Sequence, residues 1–222
     1  MPMLPSSRRP VPVQAAPRWR VLLGLCIAGL ALSGCVTPDL SIGRARPPQT
    51  VTLAKTGVSV EAPAGFCVDA KTLRDTEAAG FVLFGHCAAM SGNPEDPRPD
   101  HRALLSATFG PDAEGKTDAA RLERIAAFFE TELGQSTLAR SGKSEDVDLL
   151  SHRIEGNLLF LHIRDRSAVG QLPTAQSYWR ALTGVAGRMA ILTVMPVADG
   201  AVSDEAQIAL LRRFAERLHA AN

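Results

Sequence analysis

Five histidines, four cysteines and one Gly-Lys-Ser triplet are the residues of this 222-residue chain best suited to do chemistry. A helix-borne zinc or hydrolytic site wants two histidines four apart with an acid between them. His86, His101, His152, His162 and His219 show no such spacing. His152 and His162 fall on two strand-like runs, 147–154 and 158–163, that flank Gly156-Asn157. With those two residues as the turn, Glu155 opposes Leu158, His152 opposes Leu161, and His162 opposes Ser151. Side chains alternate between sheet faces along a strand, so the two histidines point to opposite sides and share no metal. Gly142-Lys143-Ser144 lacks the glycine that a phosphate loop needs five residues earlier, where Thr137 stands. The Gly-x-Ser-x-Gly elbow of one large hydrolase class is absent. Asn93, Glu95, Asp96, Asp100 and His101 offer ligands for a hard cation, but their spacing matches no calcium loop and prolines interrupt it. The residues therefore assign no catalytic group, metal site or cofactor site.

The N-terminal segment is more specific. Val21 to Leu32 is a run of apolar and small residues. Arg8, Arg9, Arg18 and Arg20 precede it, no acid does, and Leu32-Ser33-Gly34-Cys35 closes it. Basic region, apolar region and small-residue cleavage site is the order of a secretory signal. The run is short of the ~20 residues that span a bilayer as a helix. Its ending resembles the lipobox of bacterial lipoproteins. That resemblance implies a signal peptide over 1–34 and lipidation at Cys35, with a diacylglyceryl group on the thiol and an acyl chain on the new N-terminus. Two or three chains hold a protein durably on a membrane, whereas one does not. Val36, not Asp, follows the cysteine, which by the same resemblance implies the outer membrane, facing the periplasm. An uncleaved anchor and an unlipidated signal are the competing readings. Ser7-Arg8-Arg9 has the paired arginines of a twin-arginine signal, but Pro10-Val11-Pro12 follows in place of an apolar pair.

Past the signal the balance of charge turns slightly acidic. The whole chain has 24 basic and 23 acidic residues, and four basic ones leave with 1–34. Such a domain has no electrostatic reason to bind nucleic acid. Cys26 lies in the signal and Cys35 is the lipidation site, which leaves Cys67 and Cys87. An even pair in an oxidising compartment reads as a disulfide. Two buried thiols, or a redox or metal pair, are the alternatives, although no Cys-x-x-Cys is present.

The elements that position these residues follow from pattern. Residues 35–50 are rich in proline and poor in large apolar groups, and read as a tether. The domain is expected over 51–222. Val58 to Ala62 alternates apolar and polar, Phe81 to Cys87 and Ala103 to Phe109 are further strands, and a proline-rich loop spans Ser91 to Asp100. Thr117 or Asp118 is placed to cap a helix running to about Leu133, with Gly134 ending it. Leu122, Ile125, Ala126, Phe129 and Leu133 form its apolar stripe. Tyr178 to Thr183 and Met189 to Met195 make a second hairpin through Gly184 to Gly187. In the first of these strands Tyr178 and Trp179 alternate, one for the core and one for solvent or a helix. A closing helix from Asp204 to about Ala220 carries an Asp204–Gln207 pair resembling a capping box. Its stripe is Ile208, Leu211, Ala215 and Leu218, with Phe214 at the edge.

Strands, helix, two hairpins and helix define an α+β fold, a mainly antiparallel sheet with two amphipathic helices packed on it. The strand leading into Ala62-Pro63-Ala64-Gly65-Phe66, the mid-chain helix, the strand ending Met195-Pro196 and the closing helix resemble the layout of the PsbP-like α/β sandwich. The expected role is a membrane-tethered binding or envelope-assembly module, held by its lipid and contacting a protein partner without catalysis of its own. A periplasmic enzyme, such as a hydrolase with an unfamiliar site, is the alternative.

Overall fold

The computed structural model describes residues 45–112, 117–167 and 173–222. Cys35 and segment 1–34 lie outside the described residues. The order is β1 (Thr50–Leu53), β2 (Val58–Glu61), β3 (Phe66–Val68), β4 (Arg74–Asp75), β5 (Gly80–His86), α1 (Cys87–Ser91), β6 (Ala103–Asp112), α2 (Ala119–Phe129), α3 (Glu132–Leu138), β7 (Val147–Glu155), β8 (Leu158–Asp165), β9 (Ser177–Val185), β10 (Arg188–Pro196) and α4 (Asp204–Ala220). The fold is α+β and its strand pairs are antiparallel. One sheet runs β3-β5-β6-β10-β9-β8-β7, with β4 also on β5, and β1-β2 form a separate hairpin.

Helices pack on both faces of the sheet because β8 and β9 carry buried apolar residues on both faces. On one face Val82, Phe84, Leu105, Phe109, Phe160, Trp179, Leu192 and Val194 pack with the β1–β2 hairpin and with Ile208, Leu211, Phe214 and Leu218 of α4. On the other, Leu159, Leu161, Ile163, Tyr178 and Leu182 pack with Leu122, Ala126, Phe129 and Leu138 of α2 and α3. Tyr178 and Trp179 thus alternate as expected, and each meets a helix. Phe214 is fully buried rather than at an edge, ring to ring with Phe84 at 5.5 Å.

Several boundaries differ from the sequence reading for local reasons. The mid-chain helix is two helices. Asp118 caps α2, its side chain accepting from Arg121 N, and Thr131 caps α3 by accepting from Gly134 N. Gly134 does not end a helix; it lies in the first turn of α3, where a Cβ would stand 2.0 Å from Phe128 O. The break turns Leu133 outward, to 68% exposure. The second hairpin turns at Ala186-Gly187, both with positive φ, which extends its strands to Val185 and Arg188. Ser203, not Asp204, caps α4 through Ala206 N, while Gln207 is buried and accepts from Trp179 N. Phe81 to Cys87 ends as a strand at His86, and Cys87 starts α1. The expected tether contributes Thr50 to β1, and Pro48 O and Gln49 O accept from Val68 N and Ala62 N.

The tight α2–α3 corner makes a clear prediction. Gly134→Ala should lower stability by about 2–3 kcal/mol, because the clash is with backbone. Gly142→Ala should cost about 1 kcal/mol, since that residue has φ +75° but open space around it. Denaturant midpoints of the two variants check the order.

Candidate functional site

Three constellations bring ionisable or nucleophilic side chains together. The first is the corner stapled by Cys67–Cys87, a disulfide with both residues fully buried and Cα atoms 4.9 Å apart. Cys67 sits on β3 opposite Gly85, and Cys87 N donates to Gly65 O at 2.9 Å. Gly65 has φ +85°, and a Cβ there would stand 2.4 Å from Pro99 N. The proline-rich loop therefore rests directly on the stapled backbone. Clefts open on either side of the loop. One, of about 140 Å³, lies among Pro63, Phe66, Pro99, His101, Leu210 and Arg213. The other, of about 340 Å³ and more open, is lined by His86, Ala88, Ala89, Gly92, Pro94 and Arg98. The His86 ring meets Phe66 edge-on at 5.6 Å, and its buried Nε2 has no hydrogen-bond partner. Burial holds this histidine below the ordinary value, with the backbone at Ala103 and His101 acting in the opposite sense.

The second constellation lies on the α4 face of β8 and β9. His162 Nε2 is 2.8 Å from Ser177 Oγ and 3.8 Å from Asp204 Oδ1. Its ring stacks on Trp179, with centroids 4.5 Å apart and planes at 12°. Arg153 lies over both Phe160 and Trp179, and Arg212 over Phe160, with Glu155 between the two guanidinium groups. A serine nucleophile needs its histidine oriented by a carboxylate on the other ring nitrogen. Here serine and carboxylate approach the same nitrogen. The arrangement is a polar clasp from the sheet to the first turn of α4.

The third is buried and acidic. Asp165 Oδ2 accepts from Arg140 Nε at 3.0 Å, from Arg140 N at 3.1 Å and from Tyr178 OH at 3.4 Å. Its Oδ1 accepts from Ser167 N at 2.9 Å. Ser167 and Ser141 share a hydroxyl contact, and Ser141 Oγ donates to Asp146 at 2.6 Å. Arg180 donates to Tyr178 OH, while its own buried Nε has no partner. Burial pushes the Asp165 carboxyl up, but the hydrogen bonds from Ser167 and Arg140 outweigh it and hold the group below the usual carboxylate value. Burial raises the Tyr178 hydroxyl. The network ties the end of α3 to the end of β8.

His152 and His162 occupy opposite faces, in the register expected: His152 opposes Leu161 and His162 opposes Ser151. His152 lies 3.7 Å from Glu130 instead of near its strand neighbour's histidine. His219 contacts Thr183 and Asn157. Among the described residues no group of three or more His, Cys, Asp or Glu is arranged to hold a metal ion. No helix among them is long and apolar enough to cross a membrane. Sequence reasoning missed Asp165, Ser177 and Asp204, whose partners come from other elements; only the paired strands 147–163 carried any signal toward them. No protein-family model, curated protein or solved structure matches this chain.

Two outcomes follow. Asp165→Asn should cost about 3 kcal/mol at neutral pH, since it leaves buried donors facing an amide. Asp165 has a depressed folded pKa, so its contribution is complete above the unfolded value of about 3.9 and is lost as pH falls through the folded one. The gap between wild type and variant, read from denaturant midpoints, should therefore narrow below about pH 4. Cys67→Ser should cost about 3 kcal/mol by freeing a loop of 20-residue separation, and should leave Cys87 reactive to a thiol reagent.

Proposed function

We propose that the protein is a membrane-tethered lipoprotein of the bacterial envelope that works by contact with a protein partner. The observation that carries this reading is the basic and apolar run closed by Leu32-Ser33-Gly34-Cys35. The Cys67–Cys87 disulfide supports it, because such bonds persist in oxidising compartments outside the cytosol. Lipidation at Cys35, signal peptide 1–34, tether 35–50 and residence at the outer membrane facing the periplasm belong to the same proposal. So does the likeness of the domain's layout to the PsbP-like sandwich.

The domain offers a surface for contact. Phe81, Leu83, Leu104 and Met195 share the sheet face opposite α4, on strands β5, β6 and β10, and each is only half-buried. Apolar area of this kind, rimmed by polar groups, is where partners bind. The rival reading, a periplasmic hydrolase, has one observation in its favour, the short contact of Ser177 with His162. Ser177→Ala separates the two: it leaves a contact protein's cellular function intact and removes a hydrolase's.

Cells grown with labelled palmitate test the anchor. Wild type should incorporate label and partition into detergent, and Cys35→Ala should do neither. Undiminished labelling of Cys35→Ala would overturn the lipoprotein reading.

A further inference from the structure

The 140 Å³ cleft beside the stapled corner has the chemistry of a small anion site with an apolar floor. Phe66 and Leu210 are buried beneath it, and Pro63 and Pro99 form its apolar sides. Leu210, Arg213 and Arg217 follow at i, i+3 and i+7 on α4 and so share one helix face. Arg217 is already paired with Glu61. Arg213 has no partner among the described residues, and neither does the His101 ring across the cleft. Asp100 is the one acid of the lining. Pockets for whole drug-sized ligands run to about 300–1,000 Å³, so this one suits a single charged group on a short stem.

Its place in the fold narrows the choice of group. Ala62 and Val68, which bracket the cleft residues Pro63, Ala64 and Phe66, take hydrogen bonds back to Gln49 O and Pro48 O. The chain thus enters the domain against the segment 62–68 that supplies one wall of this cleft. Twelve residues separate Pro48 from Cys35, a stretch whose ends can be no more than about 45 Å apart. A lipid-bearing Cys35 keeps the phosphates of membrane lipids within that reach. We infer that the cleft between Arg213 and His101 binds the headgroup phosphate of a phospholipid in the membrane that carries the anchor, with the first carbons of the glycerol against Ala64 and Pro99, the accessible apolar residues of the lining. A guanidinium donates well to a phosphate, and the clamped loop at Gly65 keeps the site preformed. The inference rests on the lipoprotein reading.

The acylated mature protein, beginning at Cys35, in neutral detergent micelles, titrated with dihexanoyl phosphatidylglycerol, tests it. Side-chain NMR should show saturable shifts at His101 and Arg213. Dihexanoylglycerol, which lacks the phosphate, should give none. Inorganic phosphate should bind at least about ten-fold more weakly, for want of the apolar stem. Arg213→Ala should weaken binding about ten-fold with the thermal midpoint unchanged, and Arg213→Lys should recover part of it. Asp100→Asn should tighten it about two- to three-fold. Equal affinity for inorganic phosphate would overturn the lipid source, and absent or Arg213-independent shifts would overturn the site. Micelle binding needs no acyl chain, so a failure here in protein that carries palmitate condemns the cleft alone, whereas missing palmitate condemns the anchor alone.

Discussion

The pairing of β6 with β10 is the constraint on which the other elements depend. These strands lie at the middle of the sheet and join residues more than eighty positions apart, Ala103 with Pro196 through Phe109 with Ala190. No local signal closes such a loop; only the apolar surface buried on both sides of the sheet does. Once the two strands pair, β5 adds on one side and the β9–β8–β7 meander on the other. Arg188, buried at the start of β10, donates to the carbonyls of Thr56, Glu77 and Gly110. That single side chain ties the first hairpin, the β4–β5 connection and β6 together.

The stapled corner and the Asp165 network hold the two flanks of this sheet. On the β3 side, a three-residue strand is too short to hold its place by backbone pairing alone, and the disulfide fixes it. On the β7 side, a buried carboxylate gathers the end of α3, Ser167 and Tyr178. One device is covalent and the other polar, and each adds to the apolar packing around it. The stapled corner also positions a cleft beside the segment against which the chain enters the domain, linking the staple to the membrane-facing role proposed here.

Much of the fold was legible because its cues are local. The alternation in 147–163 with Gly156-Asn157 between its halves dictated register as well as strand. The α4 stripe and the pair Cys67 and Cys87 were equally plain. What escaped the sequence depended on distant contacts. The helix break at Glu130-Thr131 is invisible to a periodicity that runs on through Leu133, and Gly134 looks like a terminator until Phe128 O is seen against it. Gln207 reads as half of a capping box, but it is recruited by Trp179 from β9. The long-range bonds of the Asp165 network and of the His162–Ser177–Asp204 clasp join residues 13 to 42 positions apart in sequence, with no motif to announce them.

The central claim is that this domain acts by contact from a membrane tether. The most direct measurement places a photoreactive p-benzoylphenylalanine at Phe81, on the half-buried sheet face, in otherwise wild-type cells. A control carries it at Glu216, on the exposed side of α4. Irradiation should give one discrete protein adduct from position 81, absent from position 216 and lost when Cys35 is replaced by Ala. No adduct at 81 beyond that at 216, or one that persists unchanged without Cys35, would contradict the account.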